Sequence, residues 1–458
     1  MESFRFRPRV TRLEGETGEL SIAEALSRLR GSVTLPALFD SASGEPARFS
    51  LLGFDPLPSA PPRTLSGLRS FVRTLQFESG DELPPWFHGG FLGALAYDLG
   101  VEGEELELPA DPWGLPRIVG GLYVDFLVRD HGSGTTWLVL GEEPGDDRPS
   151  AGERARTLLG ALERRCERRP LVPLGPLARS APAGRFQDDV RRVRELIAEG
   201  EIYQANVSQR FTRGLSGDPL DLYLRLRELH PGPYLGFLCF EGGALLSGSP
   251  ECLLDFEPTL SGAVARTRPI KGTAPRGRNA EEDRANARAL LGSAKDRAEL
   301  AMIVDLERND LGRVAVRGGV SVEAFPRLES YATVHHLVAD VAARIPRGTD
   351  GFEVLAALFP GGSITGAPKL RSMEAIAEIE GEGRSFFYGS QCLADTRGRL
   401  VASVLIRTLL WRDLPQGAAE VAFRVGGGIT FGSDPAAEEA ESVVKGLALA
   451  RALEGSIE

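Results

Sequence analysis

The chain of 458 residues is poor in cysteine and in long apolar runs. Its four cysteines, Cys166, Cys239, Cys252 and Cys392, form no Cys-X-X-Cys pair. This scarcity excludes a disulfide scaffold and a zinc finger, and it predicts a reducing, cytoplasmic location. No apolar run approaches the roughly 18 residues of a membrane-spanning helix. The N-terminal MESFRFRPRV lacks the apolar core of a signal peptide.

Several motifs of nucleotide and hydrolase chemistry are also missing. The sequence has no GxGxxG, no phosphate-loop GK[ST] and no HExxH. The segment GGSIT at 361–365 falls one glycine short of a nucleophile elbow. A net charge of −11 argues against nucleic acid as the main partner, because an acidic surface repels a phosphate backbone.

The 54 glycines and 31 prolines predict many turns and a sheet-rich α+β fold with large antiparallel sheets. The predicted strands include Arg48–Phe54, Gly89–Tyr97, Ile202–Phe211, Tyr234–Phe240, Leu400–Trp411 and Ala419–Val425. The predicted helices are Arg154–Arg168, Phe186–Gly200, Ala280–Leu306, Gly351–Leu358, Pro368–Glu378 and Pro435–Leu453. The segment 141–184, rich in Asp, Arg, Pro and Gly, predicts a connection between an N-terminal region, 1–140, and a larger domain, 185–458.

One charged residue interrupts a strongly apolar run. Arg407 lies within VASVLIRTLL (401–410), which predicts a strand covered on both faces. Because burying an unpaired charge is costly, Arg407 must reach water, pair with a core carboxylate or bind a ligand. A guanidinium fork suits a substrate carboxylate, and the run alone leaves these interpretations equal.

A second candidate site combines glycines with a charged helix face. The glycines 426–428 form either an anion-binding concavity or a hairpin. On the following helix Glu438, Glu441 and Lys445 share one face, which is either solvated or functional. Together with Glu299, another carboxylate among apolar neighbours, they could supply the hard oxygen ligands of Mg²⁺.

Two further segments allow a structural and a functional interpretation. His335 and His336 are adjacent in a predicted strand, so at most one of them faces a given site. A hydrogen-bonded core histidine is the simpler interpretation. PGGSITGAPK (360–369) is either a plain turn or a helix start whose N–H groups around 365–367 favour anions.

In combination these segments resemble the chorismate-utilising enzymes, a family that includes anthranilate, isochorismate and salicylate synthases. The resemblance covers most of the chain from about Phe186 and is looser through LFDS (38–41) and GGFLGALAYDLG (89–100). The matching segments are IYQANVSQRF (202–211), LSGSPE (246–251), TRPIKGT (267–273), KDRAELAMIVDLERNDLGR (295–313), VHHLV (334–338), PGGSITGAPK (360–369), IRT (406–408), GGGI (426–429) and the helix face at 438–445. The resemblance implies sheets packed as a sandwich core with helices on the outside. The N-terminal region, 1–140, would contribute to the sheets and is a candidate for a regulatory site.

Two positions discriminate among members of the family. Members that add water at C2 of chorismate carry a lysine base where this chain has Gln204, so isochorismate formation is disfavoured. Anthranilate synthases carry Ala where this chain has Lys271, whereas PIKGT resembles members that aminate chorismate at C4. Nearby Arg266 and Arg268, together with burial, would lower the pKa of Lys271 toward that of a nucleophilic amine.

The resemblance also implies a role for each candidate residue. The catalytic residues would be Lys271, Glu251 and His336. The substrate-binding residues would be Thr273, Thr365, Arg407, Gly426, Gly427, Gly428 and Lys445. The Mg²⁺ ligands would be Glu299, Glu438 and Glu441.

The implied reaction converts chorismate and ammonia to 4-amino-4-deoxychorismate. Because the chain has no cysteine in a GxCxG setting, a separate glutamine amidotransferase subunit would supply the ammonia. Anthranilate formation is the first alternative. The second is a chorismate-binding paralogue without turnover, suggested by Cys392, Leu393 and Val401, which depart from the family pattern.

Overall fold

The computed structural model describes residues 3–42, 47–78, 81–143, 148–332 and 334–455. Within these ranges the strands are β1 (Phe4–Leu13), β2 (Ala37–Asp40), β3 (Phe49–Phe54), β4 (Leu75–Phe77), β5 (Gly90–Leu95), β6 (Ile118–Tyr123), β7 (Asp125–Asp130), β8 (Thr135–Glu142), β9 (Val172–Pro173), β10 (Ala178–Arg179), β11 (Gln204–Ser216), β12 (Tyr234–Phe240), β13 (Gly243–Ser249), β14 (Cys252–Thr259), β15 (Gly262–Arg268), β16 (Ile270–Pro275), β17 (Val320–Ser330), β18 (Val334–Ile345), β19 (Gly366–Ala367), β20 (Ser390–Asp395), β21 (Leu400–Val404), β22 (Thr408–Asp413) and β23 (Ala418–Ile429).

The helices lie between and after these strands. They are α1 (Gly15–Glu19), α2 (Ile22–Arg28), α3 (Leu65–Val72), α4 (Ala151–Leu162), α5 (Arg185–Ala198), α6 (Pro219–Leu229), α7 (Ala280–Gly292), α8 (Ala294–Gly312), α9 (Gly351–Leu358), α10 (Lys369–Glu380) and α11 (Pro435–Ala452). Short 3₁₀ turns occupy Tyr97–Val101, Gly362–Ile364 and Pro415–Gly417.

The strands form two sheets, which confirms the predicted α+β architecture. The larger sheet has 14 strands in the order β10-β11-β23-β22-β13-β12-β2-β3-β7-β8-β1-β4, with β9 and β19 also paired to β11. The smaller sheet has nine strands in the order β16-β18-β15-β14-β21-β20-β5-β6, with β17 paired to β18. Strand β1 pairs with β4 in parallel, and the pairs that flank the candidate site are antiparallel.

The main core lies between the two sheets, as a sandwich requires. Leu51 and Leu245 of the larger sheet belong to the same buried cluster as Leu92 and Leu254 of the smaller one. A second cluster covers the other face of the larger sheet with α2, α4, α6 and α11. At these sizes the buried apolar surface is the main favourable term in the free energy of folding.

Close approach of the sheets depends on a glycine. A Cβ built on Gly53 of β3 would lie 2.4 Å from Leu92 Cδ1 of β5, so the larger sheet could not pack here with a side chain at that position. Beside this contact, the Gln391 side chain of β20 crosses the core and donates to the Leu38 carbonyl at 2.9 Å. The glycine-rich composition therefore serves packing as well as turns.

The prediction of one strand over Leu400–Trp411 was wrong. The run divides into β21 in the smaller sheet and β22 in the larger sheet, and Arg407 lies in the connection between them with φ at +53°. A continuous apolar run has the same pattern whether it forms one strand or crosses between two buried sheets. The predicted end of the strand Ala419–Val425 was also wrong. The glycines 426–428 lie within β23, which continues to Ile429.

The single helix predicted over Ala280–Leu306 is two helices, α7 and α8. Ser293 ends the first helix and caps the second, with its hydroxyl accepting from the Asp296 N–H at 3.2 Å. The helix predicted over Arg154–Arg168 begins earlier, at Ala151, and ends at Leu162. A capping box between Ser150 and Glu153 fixes that start.

Strands of the N-terminal region and of the C-terminal part pair within both sheets. Strand β12 pairs with β2 in the larger sheet, and β20 pairs with β5 in the smaller one. The boundaries 1–140, 141–184 and 185–458 stay a prediction. No helix among the described residues is both long and apolar enough to cross a membrane.

Candidate active site

Two connections between the sheets carry charged candidate residues. The chain leaves the larger sheet after β13 and enters the smaller one at β14, and Glu251 lies between them with 4% exposure. It returns from β21 to β22 through Arg407. The Val404 N–H donates to the Glu251 carbonyl at 3.1 Å, which ties the two connections together. The topology therefore brings an acid and a guanidinium together where the chain crosses between the two sheets. We call this place the seam.

Lys271 lies at the same seam on β16, the edge strand of the smaller sheet. Its Nζ donates to the Ser363 carbonyl at 3.3 Å. Burial and then the charge of Lys445 lower the pKa of Lys271, while Glu299, Glu251 and Glu441 act in the opposite direction. A depressed lysine pKa is what a nucleophilic amine requires near neutral pH.

The cation near Lys271 is therefore Lys445, and the expectation that Arg266 and Arg268 fill this role was wrong. Arg268 pairs with Glu329 and, at 2.8 Å, with Asp340. Arg266 Nε lies 3.9 Å from a Glu323 carboxylate oxygen. These pairings neutralise both arginines on the β17 and β18 side of the sheet.

Strand β23 brings its glycines against Lys271 and Gln204. A Cβ built on Gly428 would lie 2.4 Å from Gln204 Nε2 and 3.4 Å from Lys271 Nζ. Gln204 is fully buried, and neither atom of its amide has a hydrogen-bond partner. An unpaired buried amide is costly, which makes the Gln204 side chain a candidate contact for a polar ligand. An amide cannot deprotonate water, in agreement with the interpretation from sequence.

The glycines also contact the charged face of α11. A Cβ on Gly427 would lie 3.3 Å from Glu438 Oε2 and 3.6 Å from Lys445 Nζ. Lys445 Nζ donates to the Gly426 carbonyl at 3.1 Å and pairs with Glu441 at 2.9 Å. Burial acts to raise the pKa of Glu441, yet Lys445 and the other nearby lysines lower it overall. This helix face is therefore part of the site.

The carboxylates of α8 and α11 face each other across a lysine. Lys295 Nζ lies 3.8 Å from a Glu299 oxygen and 3.8 Å from a Glu438 oxygen. Burial raises the pKa of Glu299. In the described part of the chain, no three acidic, histidine or cysteine side chains converge into a metal site by themselves.

Two carboxylates with a cation between them nevertheless fit Mg²⁺. This ion is commonly held by one or two carboxylates together with water and substrate oxygens. Lys295 Nζ lies between Glu299 and Glu438, 3.8 Å from an oxygen of each, and its side chain is 62% exposed. Glu441 is placed nearby but is paired with Lys445.

The two adjacent histidines face opposite ways, as predicted. His336 Nδ1 hydrogen-bonds the Thr273 hydroxyl at 2.8 Å, while its Nε2 is buried without a partner. Burial and the charge of Arg407 lower the pKa of His336 well below its usual value. His335 contacts Ser330 and Asp283 on the other face.

The hydroxyl of Thr365 is used in a local hydrogen bond to the backbone. Its side chain is fully buried and its hydroxyl donates to the Gly361 carbonyl at 2.9 Å. Its carbonyl accepts from the Asn206 N–H at 2.7 Å on β11. A substrate contact for Thr365 therefore stays a prediction.

Burial shifts the pKa values of Glu251 and Lys271 in opposite directions. It raises the pKa of the Glu251 carboxyl to about 7, against opposing contributions from Ser363 and Lys271. It lowers the pKa of Lys271. A carboxyl that keeps its proton near neutral pH, close to an amine with a lowered pKa, suits the protonation of a leaving hydroxyl while a nucleophile attacks.

Three residues of the site were missed from the sequence. Lys295 carried a signal, because it precedes Glu299 by one helical turn. Ser363 lay inside the singled-out 360–369 segment, but its carbonyl contact to Lys271 spans 92 positions. His230 contacts the Arg407 guanidinium. It directly follows α6, and no sequence pattern marked it as a site residue.

A separate cavity of about 290 Å³ lies away from this site. Its lining includes Phe39, Asp40, Trp86, Asp255 and Arg399. The LFDS segment and strands of both sheets line it. The regulatory site expected in the N-terminal region, 1–140, stays a prediction.

The geometry can be compared with known proteins. A family model described as chorismate binding enzyme matches residues 49–451. Aminodeoxychorismate synthase component 1 of Bacillus subtilis is 33% identical over 464 aligned positions that cover 96% of each chain. Anthranilate synthase component 1 of Streptomyces coelicolor is 35% identical over 95% of this chain and 86% of its own.

Solved structures agree with the fold. Anthranilate synthase component I from Streptococcus pneumoniae superposes with a TM-score of 0.71 at 29% identity, covering 87% of this chain and 91% of its own. The menaquinone-specific isochorismate synthase of Escherichia coli also gives 0.71, at 17% identity, covering 99% and 95%. The chain belongs to the chorismate binding enzyme family, and as such it is an enzyme that acts on chorismate.

Proposed function

We propose that this chain is an aminodeoxychorismate synthase component I. It would convert chorismate and ammonia to 4-amino-4-deoxychorismate, for 4-aminobenzoate and folate synthesis in the cytoplasm. The observation that carries the proposal is Lys271, a shielded amine with a lowered pKa that lies near Glu251 and the Gly428 backbone. Relatives named aminodeoxychorismate synthase component 1 support it, including the Salmonella typhimurium protein at 37% identity.

In the proposed first step, neutral Lys271 Nζ attacks C2 of chorismate. Both ring double bonds shift, from C1=C2 and C5=C6 to C1=C6 and C4=C5, and the C4–O bond breaks. Protonated Glu251 gives its proton to the departing hydroxyl to form water. The lysine then loses a proton, so a neutral secondary amine joins Lys271 to the ring. The Glu251 pKa of about 7 allows the acid to be protonated at the start.

In the second step ammonia adds at C4, both ring double bonds shift back to C1=C2 and C5=C6, and the C2–N bond to Lys271 breaks. The displaced lysine takes up a proton as it leaves, and the ammonia nitrogen loses one. Gln204 offers no base to activate a competing water, which favours amination over hydration.

The remaining site residues would bind and orient the substrate. Arg407, Lys445 and the N–H groups of the 426–428 backbone would hold its carboxylates. Thr273, Thr365 and His336 would line the ring position. Mg²⁺ held by Glu299, Glu438 and Glu441 would neutralise the ring carboxylate when bound. A separate glutamine amidotransferase subunit would supply ammonia.

Anthranilate synthesis is the second candidate function, because the Streptomyces coelicolor anthranilate synthase component 1 is equally similar. Incubation of the purified protein with chorismate, Mg²⁺ and ammonium, followed by mass spectrometry, separates the two. A 4-amino product is expected. Anthranilate would replace the proposal with the second candidate, and unchanged chorismate would favour a non-catalytic paralogue.

A further inference from the structure

The Arg407 guanidinium contacts a residue outside every matched segment. Its Nη1 hydrogen-bonds Nε2 of His230. Because arginine can only donate, His230 Nε2 must be the unprotonated acceptor, and the imidazole proton must lie on Nδ1. The contact therefore requires a neutral histidine.

Three chain segments build this contact. His230 directly follows α6, and its N–H donates to the Leu226 carbonyl at 2.8 Å. Gly248 of β13 donates to the Arg407 carbonyl at 3.0 Å. A Cβ on Gly248 would lie 3.1 Å from that carbonyl oxygen and 3.4 Å from His230 Cδ2. The glycine leaves the space in which the imidazole and the arginine meet.

Arg407 itself has an uncommon backbone. Its φ of +53° lies in the left-handed region, which a non-glycine residue adopts only when the surroundings hold it there. Its backbone is fixed through Gly248 and its side chain through His230. Strained residues of this kind concentrate at ligand sites, so the orientation of this guanidinium matters to function.

The charges around Arg407 leave it without an anionic partner. No carboxylate forms an ion pair with it in the described ranges, and burial lowers its pKa to about 10. Burial and the charge of Arg407 lower the pKa of His230 to about 3, so the imidazole stays neutral. The other ionisable groups that influence this pair are Glu251 and His336.

We propose that His230 is a positioning residue, whose neutral imidazole aims the remaining guanidinium N–H groups of Arg407 at a carboxylate of the substrate. This inference rests on the proposed function only in taking chorismate as the ligand. A neutral acceptor orients the arginine without cancelling its charge. A carboxylate in the same place would compete with the substrate for the guanidinium.

Five variants test the proposal through the rate of chorismate consumption with ammonium as donor: H230F, H230Q, H230E, R407Q, and H230F combined with R407Q. H230F keeps a ring but removes the acceptor, and it should raise KM by roughly tenfold to a hundredfold with a smaller change in kcat. H230Q places an acceptor where Nε2 stood and should restore KM to within about threefold of wild type. H230E should raise KM, because its charge pairs with Arg407. In an R407Q background, H230F should add no further loss.

Each measurement can also overturn the proposal. It fails if H230F or H230E keeps the wild-type KM, if H230Q is as poor as H230F, or if H230F costs as much in the R407Q background as alone. If H230F does not fold, H230E and H230Q still test the proposal. Following chorismate and not the product keeps the inference independent of the 4-amino assignment. Wild-type protein that leaves chorismate untouched would overturn both proposals.

Discussion

Gly428 lies directly against Lys271 and Gln204, since a Cβ on it would lie 3.4 Å from Lys271 Nζ, an ordinary contact distance, and 2.4 Å from Gln204 Nε2, which is too close. Gly428→Ala should therefore displace the Gln204 amide, which lies next to the Lys271 amine. We expect kcat/KM for chorismate to fall roughly tenfold to a hundredfold, because small displacements of reacting groups are costly. Steady-state kinetics with ammonium measure the effect.

Gly432→Ala is the matched control, because nothing lies within 4 Å of the added Cβ. It should keep wild-type kinetics and stability. A Gly428→Ala enzyme as active as this control would show that the space around Lys271 is not needed for the reaction.

The Glu251 carboxyl should set the alkaline limit of activity. Its pKa of about 7 in the folded protein means that the proton needed by the leaving hydroxyl is lost as pH rises above that value. The kcat–pH profile should fall with a midpoint near 7, and Glu251→Gln should abolish amination at all pH values. A profile that is flat from pH 6 to 9 would contradict the acid role.

The same group makes a prediction for stability. Burial raises the pKa of Glu251 from 4.5 to about 7, so the folded state binds this proton more tightly than the unfolded chain does. The free energy of unfolding should fall by up to about 3 kcal/mol between those pH values. Glu251→Gln should remove this slope, which urea titrations at pH 5 and 8 can measure. An unchanged slope would place the proton elsewhere.

Glu299→Gln should weaken the response to magnesium. Loss of one of the two carboxylates beside Lys295 should raise the Mg²⁺ concentration for half-maximal rate by at least about tenfold. Isothermal titration calorimetry of Mg²⁺ should show the same weakening without turnover. Glu439→Gln is the control, because Glu439 lies on α11 but pairs with Arg179 and Gln187. Equal behaviour of the two variants would argue against the metal assignment.

A buried ion network of Glu380, Arg384 and Arg424 beside β11 should contribute strongly to the free energy of unfolding. Glu380 bridges Arg384 at 2.7 Å and Arg424 at 2.8 Å, and all three side chains are 2% exposed. Glu380→Ala removes the ion-pair partner of Arg384 and one of the two ion-pair partners of Arg424, the other being Glu382, and it should cost about 3–5 kcal/mol of unfolding free energy. Glu374→Ala, on the exposed side of α10, should cost under about 1 kcal/mol. Urea denaturation compares them.

The pH dependence of this network has the opposite sign to that of Glu251. Burial acts to raise the pKa of Glu380, but Arg384 and Arg424 outweigh it and lower the pKa. Its contribution is therefore present above the carboxyl pKa of the unfolded chain and is lost as pH falls through the folded value. A Glu380→Ala variant that loses the same stability at low and neutral pH would contradict this pairing.

Local patterns in the sequence predicted many elements but not how the chain crosses between sheets. Strand Tyr234–Phe240 and helix Gly351–Leu358 have the predicted bounds, because turn and cap residues border them on both sides. Arg407 was misplaced because an apolar run carries no mark of the sheet to which each half belongs. Ser293 divides α7 from α8 through a cap that a helical pattern alone does not require.

The sequence allowed us to predict which residues are candidates for the site, but not which of them contact each other. Lys271, Glu251 and the glycines 426–428 were identified through their segments. The contact between Gly428 and Lys271, and the partnership of Lys445 with Gly426, depend on pairing of β11 with β23 and on the docking of α11. Pairings over such separations are set by tertiary packing, which no local periodicity encodes.

The most direct measurement is the mass of the protein after incubation with chorismate and Mg²⁺ in the absence of ammonia. The account predicts an adduct of chorismate less one water, located on Lys271 by peptide mapping and absent from Lys271→Ala. Adding ammonium should release it as the 4-amino product. A Lys271→Ala enzyme that forms the 4-amino product at the wild-type rate would contradict the account.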